Sequence, residues 1–267
     1  MIRVKTAFCV CLAVAVLGVA ADAATVTMLT DSGFAFHGEE YSIMIDGLVE
    51  YRSTDERQDL MRQAAAPYDA DILLITHSHH DHFDVDLVAD NMNSNPEAIL
   101  VGPPDVIERL ADRVPDIGEG RLLEVEPSLG EPVTVELPGF TLTAFSFPHP
   151  PDGDPLNVGY LFEIDSITIL HPGDLDMDDA GALFEANGLG ELELDVVFLP
   201  MFMLRSASRC EPLDSLSIGC IIASHASPFE QSRGEPIAAG HLENLFCFDD
   251  YLDVVELTAD SGCPAGE

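Results

Sequence analysis

The sequence predicts an α/β domain made of two stacked β-sheets with helices on the outside. Three observations carry that reading. Apolar runs of strand length come first, then alternate with helical stretches, then return as a strand-rich block, and alternate again to the end. The segment richest in metal-binding side chains, residues 76–84, directly follows the short apolar run 72–75, at the carboxyl end of a strand where open sheets place their sites. No repeat of solenoid period and no linker divides the chain.

Taken in order, the first residues stand apart from the fold. Arg3 and Lys5 form a basic start, residues 7–20 are apolar, and Ala21, Asp22 and Ala23 supply small residues at a cleavage site. That is the pattern of a secretory signal peptide spanning residues 1–23, so the mature chain is expected to be secreted or periplasmic, with no stable membrane anchor. Residues 24–257 should form one domain and 258–267 a loose acidic tail. Strands are expected at 26–29 and 41–45, joined as a hairpin through Gly33 and Gly38 and ended by Asp46-Gly47. A helix over 55–66 stops at Pro67 and leads to the strand 72–75. A second helix, 84–92, takes Asp84 as its N-cap. Strand 98–101 precedes a helix opened by Pro103-Pro104 and running to about Arg113. Strands follow at 121–126, 132–137, 140–147, 158–164 and 167–170, with turns at Pro138-Gly139 and Asp165-Ser166. The rest reads as a helix at 178–186, a strand at 196–199, a short helix at 210–216, a strand at 220–223, a helix at 236–248 and a last strand at 253–257.

Composition narrows the function. The chain carries 48 acidic residues against 11 lysines and arginines, a net charge of −37. Such a surface repels phosphate backbones, which excludes nucleic acid as a partner and leaves a small-molecule substrate. The acidity also suits solubility in salty surroundings, where screening removes self-repulsion. Cys210, Cys220, Cys247 and Cys263 remain once Cys9 and Cys11 leave with the leader, and an even count in an oxidising compartment predicts disulfides.

Residues 76–84 read Thr-His-Ser-His-His-Asp-His-Phe-Asp, with His77, His79, Asp81 and His82 in the pattern His-x-His-x-Asp-His. Neutral imidazole and carboxylate are ligands that a borderline cation such as zinc prefers. With this composition the pattern arises by chance on the order of once in a thousand such chains. Alternation along a tight loop would let His77 and His79 face one cation while Asp81 and His82 face another. His149, Asp174 and His225 each stand just past a strand end, in that order. His80 fills the variable position of the pattern and should point away, while His37 and His241 read as surface residues.

The stretch resembles the signature of the metallo-β-lactamase-fold hydrolases, and residues 157–174, with Gly159-Tyr160 and His171-Pro172-Gly173-Asp174, are similar to the branch related to the L-ascorbate-6-phosphate lactonase. The resemblance implies a four-layer αββα sandwich over nearly the whole mature chain. It implies two divalent cations, Zn2+ foremost and Mn2+ as the other choice. His77, His79 and His149 would hold the first, Asp81, His82 and His225 the second, and Asp174 would bridge them. Asp46 stands where that branch ordinarily has Asp-Pro, here Asp46-Gly47, and with His171 would support the ligands or touch substrate. Two such cations, about 3.5–4 Å apart, make a shared water nucleophilic near neutrality and polarise the scissile oxygen. Asp81 would accept the proton. The expectation is therefore an exported dinuclear hydrolase using a metal-bridging hydroxide on a small ester, lactone or phosphoester. Two alternatives stand beside it: a metal buffer or sensor without turnover, and a β-lactam-opening enzyme.

Overall fold

The structure, a computed structural model, describes residues 24–118, 120–149, 155–175, 180–211, 213, 216–226 and 244–257. The expected leader, the tail from 258, Cys263 and most of the helix expected at 236–248 lie outside the described residues.

Two seven-stranded sheets face each other. The first contains β1 (Thr25–Met28), β2 (Phe34–His37), β3 (Ser42–Ile45), β4 (Ile72–Leu74), β5 (Ile99–Gly102), β6 (Leu122–Glu124) and β14 (Val254–Glu256), in the spatial order β14-β1-β2-β3-β4-β5-β6. The second contains β7 (Val133–Leu137), β8 (Phe140–Ser146), β9 (Val158–Ile164), β10 (Ile167–His171), β11 (Glu193–Pro200), β12 (Ser217–Ser224) and β13 (Leu245–Phe246), in the order β13-β12-β11-β10-β9-β8-β7. Both are mixed in the same way. An antiparallel meander, β1-β2-β3 or β7-β8-β9-β10, runs into a parallel half, β3-β4-β5-β6 or β10-β11-β12-β13. Strands two apart in a meander point the same way, so β8, β10, β11 and β12 end on one side of the molecule.

Side-chain alternation explains why the strands read as unbroken apolar runs. Phe34, Phe36, Ile43, Ile45, Ile72 and Leu74 face inward and meet Tyr160, Phe162, Val196, Phe198 and Ile222 of the opposite sheet in a continuous core. Phe198 sits at its centre, with ring centroids 4.6 Å from Phe34 and 5.5 Å from Phe36. The outward residues Ala35, Met44, Leu73 and Leu100 pack on the helices α1 (Asp55–Arg62), α2 (Val85–Ser94) and α3 (Pro104–Ala111). On the second sheet Leu170, Val197, Leu199 and Ile221 pack on α4 (Ala180–Ala186) and α5 (Met201–Leu204), beside α6 (Ala207–Cys210). Helices cover the outer faces around β3–β5 and β10–β12, which gives the four layers, while Thr134, Glu136, Thr141 and Glu163 are exposed on the outer face of the β7-β8-β9 meander. A one-residue slip of a central strand such as β4 would exchange its two buried faces.

Several expectations need correction. The opening hairpin is a three-stranded meander, because Gly33 and Gly38 are turns on either side of a strand, β2, rather than parts of one connection. Helix α1 ends before Pro67 is reached. Ala64 adopts φ 45°, its N–H bonds Met61 O, and the Ala65 N–H bonds Leu60 O, so a Schellman cap closes the helix. Residues 245–246, expected in a helix, form β13 parallel to β12. Two one-turn helices, α5 and α6, were not expected; of the short helix expected at 210–216, residues 211 and 213 are helical and residues 212, 214 and 215 lie outside the described residues. The Asp84 N-cap is present and accepts from Asp86 N and Leu87 N, each at 3.0 Å.

The expectation of full disulfide pairing fails as well. Cys220 is disulfide-bonded, but Cys210 and Cys247 keep their thiols. Cys210 is buried as a small core side chain, and burial, with Asp249 nearby, pushes the Cys247 thiol up to about 11.

Candidate metal centre

The carboxyl ends of β4, β8, β10 and β12 deliver the candidate ligands to one place. After β4 the chain turns sharply, with the His82 and Phe83 N–H groups both donating to His79 O at 3.0 and 2.8 Å. This turn, not extended alternation, is what sends His77 and His79 one way and the neighbouring pair Asp81 and His82 the other. His149 follows β8 through Phe147-Pro148. Asp174 follows β10 through Pro172 and Gly173. Gly173 has φ 64°, and a Cβ there would lie 2.2 Å from Asn157 Oδ1 and 2.9 Å from Thr76 Cβ, so only glycine fits. His225 follows β12 at φ 51°, a conformation that costs a non-glycine residue about 1–3 kcal/mol and is over-determined here by its N–H, which donates to Asp31 O at 2.6 Å.

These ends bring seven side chains together in three overlapping groups, each with its ligating atoms within 4.8 Å: His77, His79 and His149; His77, His82 and Asp174; Asp81, His82 and His225. Ring centroids of the first trio lie 4.6–4.8 Å apart. The Asp174 carboxylate stands between the two outer trios. One oxygen is 2.8 Å from His225 Nε2, and the other is 3.6 Å from His82 Nε2 and 3.8 Å from His149 Nε2.

A layer of hydrogen bonds lies beneath. Asp46, buried at the end of β3 with φ 49°, accepts from Thr76 N at 2.9 Å, Thr76 Oγ1 at 2.6 Å and His82 Nδ1 at 2.7 Å. Its hold on Nδ1 aims His82 Nε2 at the cluster. Thr76 Oγ1 also lies 3.0 Å from His77 Nδ1. Asn157 donates to Phe147 O and Pro172 O while accepting from Asp174 N, which locks the β8 and β10 ends together. The buried Tyr160 hydroxyl donates to Ile75 O at 2.8 Å, tying the second sheet to the start of the motif. Ser32, in the turn between β1 and β2, donates to Asp81 O at 2.8 Å. His171 is buried under the cluster, stacked on Phe198 with centroids 5.3 Å apart, its Nδ1 accepting from Gly173 N. His80 is exposed beside the Tyr51 ring. Sequence reasoning did not single out Thr76, Asn157 or Ser32. Thr76 adjoins the motif and could have been found there, while Ser32 is placed only by the three-dimensional turn.

The electrostatics suit cations. Burial, reinforced by His82 and other neighbouring imidazoles, lowers His77 far below its ordinary value, so the ring is neutral and able to ligate. His77 Nε2 is buried without a hydrogen-bond partner among the described residues, and His82 Nε2 faces His225 Nε2 at 3.1 Å. An orphaned buried nitrogen costs about 1–3 kcal/mol unless something engages it. Burial also works against charge on Asp174, yet His82 and His225 hold its carboxyl well below the usual range. His82 moves the other way: burial opposes its charge, but Asp174 and Asp46 hold it well above the ordinary imidazole value. Burial drops His171 to about 4. Five imidazoles and two carboxylates with inward-facing nitrogens fit borderline divalent cations.

Two mixed sheets flanked by helices, with a His/Asp cluster at the strand ends, define the metallo-β-lactamase class of fold. The chain belongs to the family described as the beta-lactamase superfamily domain, whose model matches residues 41–234. Among solved structures it is similar to Igni18, a metallo hydrolase from Ignicoccus hospitalis, at 16% identity with a TM-score of 0.59, covering 87% of this chain and 97% of that one. It is similar at 15% identity and TM-score 0.58 to the metallo-beta-lactamase fold protein YhfI of Bacillus subtilis, covering 88% and 100%. An isothiocyanate hydrolase from Delia radicum gut bacteria matches at 12% identity and TM-score 0.55, covering 86% and 98%. At these identities the likeness is one of fold. No curated protein matches.

Proposed function

We propose that this chain is an exported hydrolase with a dinuclear metal centre that acts on a small ester, lactone or phosphoester. The observation that carries the reading is the Asp174 carboxylate standing between two trios of ligands, with one oxygen at His225 and the other between His82 and His149. His77, His79 and His149 would hold one cation, Asp81, His82 and His225 a second, and Asp174 both. Zinc is the first choice for this donor set and manganese the next. Bound there, the cations would supply Lewis acidity, making water nucleophilic near neutral pH and polarising the substrate oxygen.

The protein's own groups do the rest. Asp46 fixes the His82 tautomer and raises its basicity as a ligand. Asp81 is the one partly exposed carboxylate of the cluster, at 27% of its side chain, and it borders a cavity of about 240 Å³. That exposure supports a role for its carboxylate as the acceptor of a proton from the attacking water. The likeness of residues 157–174 to the ascorbate-phosphate lactonase branch favours lactones within the substrate class. The basic start, apolar run and small residues at 21–23 support export. No described helix is long and apolar enough to cross a membrane.

A turnover screen on zinc- and manganese-loaded protein with ester, lactone and phosphoester panels is the test. Hydrolysis that disappears on chelation is expected. Stoichiometric metal with no turnover on any panel would make the chain a metal buffer.

A further inference from the structure

We infer that the cavity beside the cluster is a subsite for an anionic group of the substrate, a carboxylate or a phosphoryl group, gripped by Arg52 and Arg205; this rests on the hydrolase reading above. The cavity touches the cluster through Asp81 and His225, so a molecule reacting there extends into it. Its remaining wall includes Tyr51, Phe202 and the two arginines.

Cations are scarce in this chain, 11 lysines and arginines against 48 acidic residues. Most arginines of the described residues serve the fold. Arg57 donates to Leu29 O, Arg62 pairs with Asp90, Arg109 donates to Ser78 O, Arg113 pairs with Asp86, and Arg121 caps three carbonyls. Arg52 and Arg205 both line a cavity that borders the cluster, in a chain where cations are scarce.

Both are presented by defined local structure. Arg52 adopts φ 56°, a strained conformation, and is held by Asp31 at 2.5 Å and by the Tyr51 ring, 5.0 Å from its guanidinium carbon. Asp31 also accepts from the Tyr251 hydroxyl, so the carboxylate is shared between two donors. Arg205 is exposed at the C-cap of α5, one turn after Phe202, whose ring lies 5.5 Å from that of His225. A guanidinium offers five donors in a planar fork that matches carboxylate or phosphoryl oxygens two at a time. In a chain of net charge −37, long-range forces repel anions, so a local pair of arginines beside a cationic centre would be what admits one. Asp31 and Asp81 also border the cavity, but Asp31 is engaged by Arg52 and Asp81 belongs to the ligand trio. The substrate would then be an ester or lactone carrying an anionic substituent, or a phosphoester.

The test pairs binding with turnover on the metal-loaded full chain. Calorimetry would measure glutarate, phenylphosphonate and the neutral glutaramide against the wild type, Arg205→Gln and Arg205→Lys. Kinetics would compare 4-nitrophenyl acetate with the monoanion 4-nitrophenyl glutarate. We expect both anions to bind at least about ten-fold tighter than glutaramide. Arg205→Gln should weaken them about ten- to a hundred-fold, with partial recovery in Arg205→Lys, and lower the preference for the anionic ester in step. Whichever anion binds tighter in an arginine-dependent way names the group. Equal binding of glutaramide and the anions, or anion binding untouched by Arg205→Gln, overturns the subsite. Arginine-dependent anion binding without hydrolysis of any ester keeps the subsite and overturns the hydrolase reading. Hydrolysis of neutral and anionic esters alike, with no arginine dependence, does the reverse.

Discussion

The two halves of the cluster are built differently. The trio of His77, His79 and His149 is gathered chiefly by strand ends and core packing, with Thr76 Oγ1 3.0 Å from His77 Nδ1, and His77 Nε2 has no hydrogen-bond partner among the described residues. The trio of Asp81, His82 and His225 is tethered by hydrogen bonds: Asp46 holds His82, Ser32 holds the Asp81 carbonyl, and Asp31 O holds the His225 backbone. Only the second trio borders the cavity. On the dinuclear reading proposed above, the first half would retain a cation, and the second would hold one at a set position against substrate.

The strongest way to break this comparison is at the retaining half. Replacing His79 with alanine removes one of three ligands there and should lower metal content and abolish hydrolysis, as read by elemental analysis and turnover. At the working half, Asp81→Asn keeps the shape and one ligating oxygen but removes the proton acceptor. A loss of about 10²–10⁴ in single-turnover rate is expected, with metal content largely kept. Retention of both metals with near-normal turnover would reduce Asp81 to a ligand.

A smaller change sharpens the contrast. Asp46→Asn should weaken the second cation about 10–100-fold while leaving the first in place, measured by competition with a chelator. The pH dependence has a fixed sign. In metal-free protein His82 is held well above its ordinary value, so its pairing with Asp46 and Asp174 stabilises the fold below that ordinary value and is lost as pH rises through the raised one. Cation binding displaces this proton, so affinity rises with pH, and calorimetry in two buffers of different ionisation heat should show proton release. Ser32→Ala, the mildest change, should cost about 0.5–1.5 kcal/mol of unfolding free energy, read from denaturant titration, and lower turnover less than Asp46→Asn.

Much of this was legible in the sequence because ligands at strand ends leave a compact signature. His77, His79, Asp81 and His82 are close along the chain, and His149, Asp174 and His225 each follow an apolar run. What was hidden depends on contacts distant in sequence. Phe34–His37 looks like linker between two glycines until both neighbours pair with it. Local hydrogen bonds end α1 early, where the sequence advertises only Pro67. The separation of the two trios arises from the turn onto His79 O, which residue spacing does not report. Arg52 and Arg205 are 153 positions apart and meet only because the β3 loop and the β11 end share one side of the sandwich.

The measurement that bears most directly on the central claim is the metal content of the wild-type chain after loading with zinc or manganese and exhaustive desalting. Two cations per chain are predicted, one for each trio with Asp174 between them. One cation, or none, would contradict the account.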